Sequence, residues 1–392
     1  MSPRLRLRLF VIGFALVVLS TANHALAQVA GIDLGSLGGA YSYPRGMNDR
    51  QQVVGVSETS TKGPKHAFLW TPTTGMVDLG TLGGTESFAL AVNAPGQIVG
   101  SSYVAGDAVY HAFSWTPADG MIDLGTLGGT LSEAVAVNNS GEVVGWSYIP
   151  GGTEEHAFLW TAKGGMVDLG TLGGTGTAAL GINERGDVIG FSGLPGGTGS
   201  HAFLWTVRGG MIDLGTFGGT CSRPYDSTNS GRIVGSACTP NGDTHPFLWT
   251  SNSGIVDLGT FGGPTNSAVA VSESGQVAGN AALAASPGNH AFSWSQLTGM
   301  VDIGTLGGAA SFAYAVNNRG QVVGDSTLPD NESHAYSWTD HGGIVDLAPL
   351  AGYPQSSAFL VNNGGLVAGV SYGGQSSNFR ATVWVLNGGR LQ

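Results

Sequence analysis

Seven histidines recur at one place in an internal pattern: His66, His111, His156, His201, His245, His290 and His334. Each copy also brings an aspartate, at Asp33, Asp78, Asp123, Asp168, Asp213, Asp257, Asp302 and Asp346. Imidazole with carboxylate is the donor set of many zinc sites and of general acid–base pairs, so these residues are the first to weigh for chemistry. Their repetition argues against it. An active centre normally breaks symmetry, and nearly equivalent centres in every copy would be hard to explain. The histidines, with Asp78, Asp123, Asp168, Asp213, Asp257 and Asp302, are therefore read as a repeated structural network, joined by an asparagine from a nearby turn. Buried polar groups must be paired, and a pairing that works in one copy works in all. No catalytic residue and no metal ligand is assigned.

The glycine runs lead to the same conclusion. Gly170-Thr171-Leu172-Gly173-Gly174 could cradle a phosphate, but it lacks the trailing Lys-Ser/Thr of a nucleotide-binding loop and recurs along the chain. Nucleophile-elbow, zinc-helix and calcium-loop patterns do not occur.

Function should show where the copies differ. The segments between the second and third strand-like runs vary in every copy: 58–65, 103–110, 148–155, 193–200, 239–244, 281–289, 327–333 and 372–378. They collect acids at Asp107, Glu154, Glu155, Asp243, Asp330 and Glu332, and tyrosines at Tyr103, Tyr110 and Tyr148. Carboxylates beside aromatic rings suit contact with a glycan or a protein. No cofactor is assigned; an acidic surface of this kind tolerates divalent cations, calcium among them.

These residues need elements to position them. The Asp-Leu-Gly or similar triplets step by 44 or 45 residues, and Trp70, Trp115, Trp160, Trp205, Trp249, Trp294, Trp338 and Trp384 keep the same beat; only Trp146 is out of register. A period in the low forties with four strand-like runs per copy is that of a propeller blade. In the third copy the runs are 132–137, 142–147, 156–161 and 165–169. In His156-Ala157-Phe158-Leu159-Trp160 both faces of the strand carry apolar groups, as a blade packed between two neighbours requires. Asn138-Asn139-Ser140-Gly141 has the chemistry of a hairpin turn.

The order of the ends predicts closure. Ile32-Asp33-Leu34 is a fourth-strand motif with no preceding third strand, and the eighth copy stops where its own fourth strand would begin. The expected fold is all-β: an eight-bladed β-propeller of four-stranded antiparallel blades, closed by an N-terminal strand that completes the last blade. One domain, 28–392, holds all eight repeats. Cys221 and Cys238 flank the first hairpin of the fifth copy symmetrically, which predicts a disulfide across adjacent strands, a link that would contribute about 3 kcal/mol.

Composition agrees with a turn-rich β protein. There are 67 glycines, 42% hydrophobic residues and only 10% charged ones. Arg4, Arg6 and Arg8 precede an apolar run, 9–19, followed by Ala25-Leu26-Ala27, so residues 1–27 read as a cleaved signal peptide. Removing it takes the formal charge from −11 to −14. Such a surface disfavours nucleic acid and anionic lipid. The expected location is extracellular or periplasmic, with no membrane insertion after cleavage.

With these motifs in fixed order, His66-Ala67-Phe68-Leu69-Trp70 and Gly75 to Gly84 (GMVDLGTLGG), and the same motifs at 156–160 and 165–174, the chain resembles the HAF-repeat family of bacterial extracellular proteins. The resemblance covers nearly all of 28–392 and implies an extracytoplasmic location. Pro246, Tyr336 and Arg380 depart from the family's triplet, the last as an adaptation to closure. The function expected is that of a secreted, non-enzymatic binding module whose partner is an extracellular glycan or protein. The alternatives are a polysaccharide hydrolase or lyase, and a purely structural matrix component.

Overall fold

The structure, a computed structural model, describes residues 28–152, 154–284, 288–373, 378–386 and 391. The leader read at 1–27 lies outside the described residues, as do parts of three inter-strand loops and most of the C-terminal end. No helix among the described residues is long and apolar enough to cross a membrane.

Strands come in antiparallel fours. In the third copy Ser132–Val137, Val143–Tyr148, Glu155–Thr161 and Gly165–Asp168 lie side by side in chain order, each within one residue of its expected bounds. The same order recurs over 42–78, 83–123, 177–213, 222–257, 262–302 and 311–347. The sheets are numbered here by their place in the chain. The last contains Gln355–Val361, Leu366–Tyr372 and Phe379–Val385. Its fourth strand is Ile32–Asp33, with Ile32 opposite Val383 and Asp33 opposite Thr382. Gln28–Val29 adds a parallel strand at the outer edge of the seventh sheet, which the sequence did not lead us to expect.

Local chemistry explains the repeated shape. Gly145 stands between Ala134 on the inner strand and Phe158 on the third, where a Cβ would fall 1.8 Å from the Glu133 carbonyl oxygen. Only glycine allows that approach. The ladder then slips by one residue between Ala134 and Ala136, a β-bulge repeated in every sheet. A bulge leaves its residue out of the ladder and re-aims its side chain. At the hairpin tip Gly141 takes φ 82°, the left-handed turn that its place after Asn138 requires.

The core lies between sheets. Val54, Ala67 and Leu79 of the first sheet pack on Ala89, Ile98 and Phe113 of the second, all at most 6% exposed. The same set recurs at the later seams. A further cluster sets Leu34, Val53, Phe68 and Trp70 against Leu366, Ala368, Ala381 and Val383, joining first sheet to last. Cys221 and Cys238 form a disulfide beside the first hairpin of the fifth sheet, with Cα atoms 5.2 Å apart.

Candidate ligand-binding site

The repeated histidines all meet their aspartates. His66 Nδ1 donates to Asp78 Oδ2 at 2.8 Å, and His111–Asp123, His156–Asp168, His201–Asp213, His245–Asp257 and His290–Asp302 repeat this at 2.6–2.9 Å. In the last sheet Arg380 Nη2 meets Asp33 Oδ2 at 2.8 Å, so the cation comes from the C-terminal strand and the acid from the N-terminal one. These pairs differ from expectation in two respects. The aspartates are 41–43% exposed in six sheets, because each stands at the end of a short outer strand. The turn asparagines belong to the opposite end of each sheet and form a separate network.

The pairs are one layer of a frame. Asp123 Oδ1 also accepts the Gly125 N–H at 2.7 Å. Gly125 O in turn receives the hydroxyl of Ser132, whose oxygen accepts the Ala112 N–H across the seam. At the hairpin end Asn48, Asn93, Asn138 and Asn183 each donate from the side chain to the next sheet's turn carbonyl, and Asn317 and Asn362 do likewise, Asn362 reaching Asn48. The neighbouring tip residues enclose a cavity of about 390 Å³ lined by Asp49, Asn139, Glu184, Glu273, Asn318 and Asn363. Each of these side chains accepts a backbone N–H from the preceding sheet, so the ring is engaged in holding itself together. Among the described residues, no group of three or more His, Cys, Asp or Glu side chains could hold a metal ion.

Much of the acidity in the variable loops shapes the loops themselves. Asp107, at φ 54°, accepts the Thr85 N–H at 2.7 Å. Asp243 accepts from Asn241 Nδ2, and Asp330 accepts the Glu332 N–H. Glu154 is exposed, and Glu332 stands near His334. These five residues come from four different sheets and do not converge.

The other four do. Tyr103 and Tyr110 face each other across neighbouring strands of the second sheet with ring centroids 5.7 Å apart. Tyr110 meets Trp146 of the third sheet at 6.2 Å, and Trp146 meets Tyr148 at 5.8 Å. Two carboxylates flank this row. Glu133, opposite Trp146 in the ladder, accepts the Ser101 hydroxyl across the seam at 3.1 Å; Glu155 pairs with Tyr148. Burial, then the charge of Glu133, pushes the Tyr110 hydroxyl up to about 12, and burial raises the Glu155 carboxyl. The row is thus a half-buried aromatic strip edged by acids, on the side where the crossovers and variable loops lie.

A related arrangement spans the seventh, eighth and first sheets. Tyr314 meets Phe359 edge to face at 5.4 Å, Phe359 stacks on Tyr43 at 5.3 Å, and the Arg45 guanidinium lies 4.7 Å over Tyr43. Asp325 accepts the Ser357 hydroxyl at 2.8 Å, and burial pushes its carboxyl up to about 6. Ser101 with Glu133 and Asp325 with Ser357 occupy the same two places at their seams, with acid and hydroxyl exchanged.

Sequence reasoning missed Glu133, Trp146, Tyr314, Asp325 and Phe359 because it looked for variation in loops, whereas these stand in strands. One signal was present: Trp146 is the only tryptophan that leaves the repeat register.

No family model matches the chain, and no curated protein does. Solved structures do resemble it. The Dos1 propeller superposes with a TM-score of 0.56 at 10% identity, covering 92% of this chain and 95% of that one. A puromycin-hydrolyzing peptidase of Mycobacterium tuberculosis gives 0.52 at 14% identity over 84% of this chain. Prolyl endopeptidases give 0.53 at 11% identity, also over 84%. The chain spans 57% and 53% of those two enzymes' lengths. At such identity the likeness concerns fold alone, and the fold is a β-propeller scaffold.

Proposed function

We propose that this protein is a secreted, closed eight-bladed propeller that binds an extracellular glycan through the strip formed by Tyr103, Tyr110, Trp146 and Tyr148. Closure is supported by the pairing of Ile32–Asp33 with Phe379–Val385, by Asn362 donating to Asn48, and by the Ala381 N–H donating to Ser42 Oγ. Export through an oxidising compartment is supported by the Cys221–Cys238 disulfide.

The observation that carries the binding role is the row of rings between Glu133 and Glu155. Flat aromatic faces take the apolar face of a pyranose, and fixed carboxylates accept its hydroxyls. The row departs from the repeat at several neighbouring positions at once, as a ligand site on a symmetric frame should. The test is a titration of soluble neutral oligosaccharides against the purified protein, read by tryptophan fluorescence and calorimetry. A saturating ligand should bind at least about tenfold more weakly to Trp146→Ala, a difference of about 1.4 kcal/mol. Equal binding by the variant would remove the strip from consideration.

A second reading, a polysaccharide hydrolase or lyase, draws support from Asp325, a partly buried carboxyl pushed up to about 6 beside Tyr314. Raised carboxyls in clefts serve as general acids. Polysaccharide cleavage by the wild type that is lost in Asp325→Asn would favour this reading over simple binding.

A further inference from the structure

The side that bears the inner hairpins, opposite the aromatic strip, has grooves where neighbouring sheets meet. One of about 410 Å³ lies between the second and third sheets and one of about 270 Å³ between the seventh and eighth. The groove between the fifth and sixth is about 770 Å³. Its composition also differs.

Trp294 forms one wall. The equivalent Trp70, Trp249, Trp338 and Trp384 are at most 9% exposed, whereas Trp294, like Trp115, Trp160 and Trp205, is half-buried, and it lines the groove. Val256 and Leu297 continue the apolar surface, Val256 being 40% and Leu297 98% exposed. Facing them is Arg232. In the other sheets its place is held by Gln52, Gln97, Glu142, Asp187, Gln276, Gln321 and Leu366, so a cation stands here only in the fifth.

Arg232 is held in position but not neutralised. Its Nη1 donates to Ser230 Oγ at 2.7 Å and to the Glu273 carbonyl at 3.5 Å. Arg185 has Asp187 as an ion-pair partner and Arg380 has Asp33; Arg232 has no carboxylate within ion-pair distance among the described residues. An oriented guanidinium with free N–H groups, in a chain of net charge −11, is a site for an anionic group, and its planar fork matches a carboxylate. The nearby indole face and the hydroxyl and amide groups of Thr250 and Gln296 match a sugar ring.

We propose that this groove binds an acidic saccharide, with a pyranose ring on Trp294 and its carboxylate on Arg232. The site is separate from the aromatic strip and does not depend on it. The chemistry places it in a size range that holds a short oligosaccharide.

The experiment titrates trigalacturonate, maltotriose and hexaglutamate against the full protein by calorimetry in about 0.15 M salt. Trigalacturonate should saturate, maltotriose should bind at least about tenfold more weakly, and hexaglutamate should not compete. Arg232→Gln, a change at a solvent-lined position, should weaken trigalacturonate at least about tenfold while Trp146→Ala leaves it unchanged. Trp294→Phe, which keeps an aromatic ring in the wall, should abolish the fluorescence change on binding. Absence of trigalacturonate binding, an unchanged affinity in Arg232→Gln, or equal binding of hexaglutamate would overturn the proposal. Loss of trigalacturonate binding in Trp146→Ala would move the acidic saccharide to the other face and overturn it as well.

Discussion

Two sets of positions in the same sheets behave in opposite ways. In the frame set, histidine meets aspartate, serine clasps the neighbouring sheet and asparagine caps the turn, with few exceptions from one copy to the next. In the inner set, the residue pairs opposite one another in the first and second strands are Tyr43/Val56, Phe88/Ser101, Glu133/Trp146, Ala178/Phe191, Arg223/Ser236, Ser267/Asn280, Phe312/Asp325 and Ser357/Val370. No two of these pairs agree. Both sets rest on the same backbone, so the backbone does not impose the second set's variety. The frame holds the sheets together, and the inner pairs are free to take on a ligand.

The comparison can be broken most strongly at Asp226, a departure that sits inside the frame. It replaces a small or apolar residue, is partly buried, and accepts the N–H groups of Val271 and Ser227, each at 2.8 Å. Burial pushes its carboxyl from 3.8 up to about 6. The native state therefore favours the protonated form. Stability is full below about pH 4, falls as pH climbs to about 6, and stays lowered above that, by on the order of 3 kcal/mol. Asp226→Asn should remove that part of the difference between pH 4 and pH 8 in urea unfolding. An unchanged difference would mean that Asp226 is solvated in solution.

A smaller effect is expected from the serine clasp. Ser132 is fully buried and bridges the Ala112 N–H and the Gly125 carbonyl. Ser132→Ala should lower unfolding free energy by about 1–3 kcal/mol, since it strands backbone groups away from water, and should leave ligand affinity intact. If affinity fell with stability, frame and inner set would not be independent.

The exposed pairs should matter least. Asp168 is 41% exposed beside His156, so His156→Ala should cost under about 1 kcal/mol. The seventh sheet sharpens the contrast. His334 and Asp346 are both 12% exposed, because Gln28–Val29 covers that edge. The hydrogen bond to Asp346 raises the His334 imidazole above its ordinary 6.5. Its contribution should be full below pH 6.5 and be lost as pH rises through the raised value. Thermal melts of His334→Ala and wild type should therefore converge in alkali, and a constant gap would contradict this.

Strand positions, turns and the completing N-terminal strand were legible because they follow from period, alternation and turn chemistry, which are local. Arg380 was legible as an adaptation to closure, but Asp33 was not named as its partner, because that acid stands apart from the repeats at the opposite end of the chain. The inner pairs were not legible, because which residue faces which across a seam depends on register between sheets. Trp146 could be flagged as out of register, but not matched to Tyr110. The loop acids misled because an aspartate that caps its own turn looks in sequence like one that awaits a ligand. One coupling was readable yet unread: where the third strand has serine for leucine, at Ser114, Ser293 and Ser337, a glutamine follows the turn and its amide donates to that serine.

The most direct test of the account is a glycan microarray probed with three proteins: wild type, Trp146→Ala, and the loop triple Asp107→Asn, Asp243→Asn, Asp330→Asn. The account predicts that wild type and the triple variant bind the same neutral glycans, whereas Trp146→Ala loses them. Retention by Trp146→Ala with loss by the triple variant would contradict it and return the site to the loops.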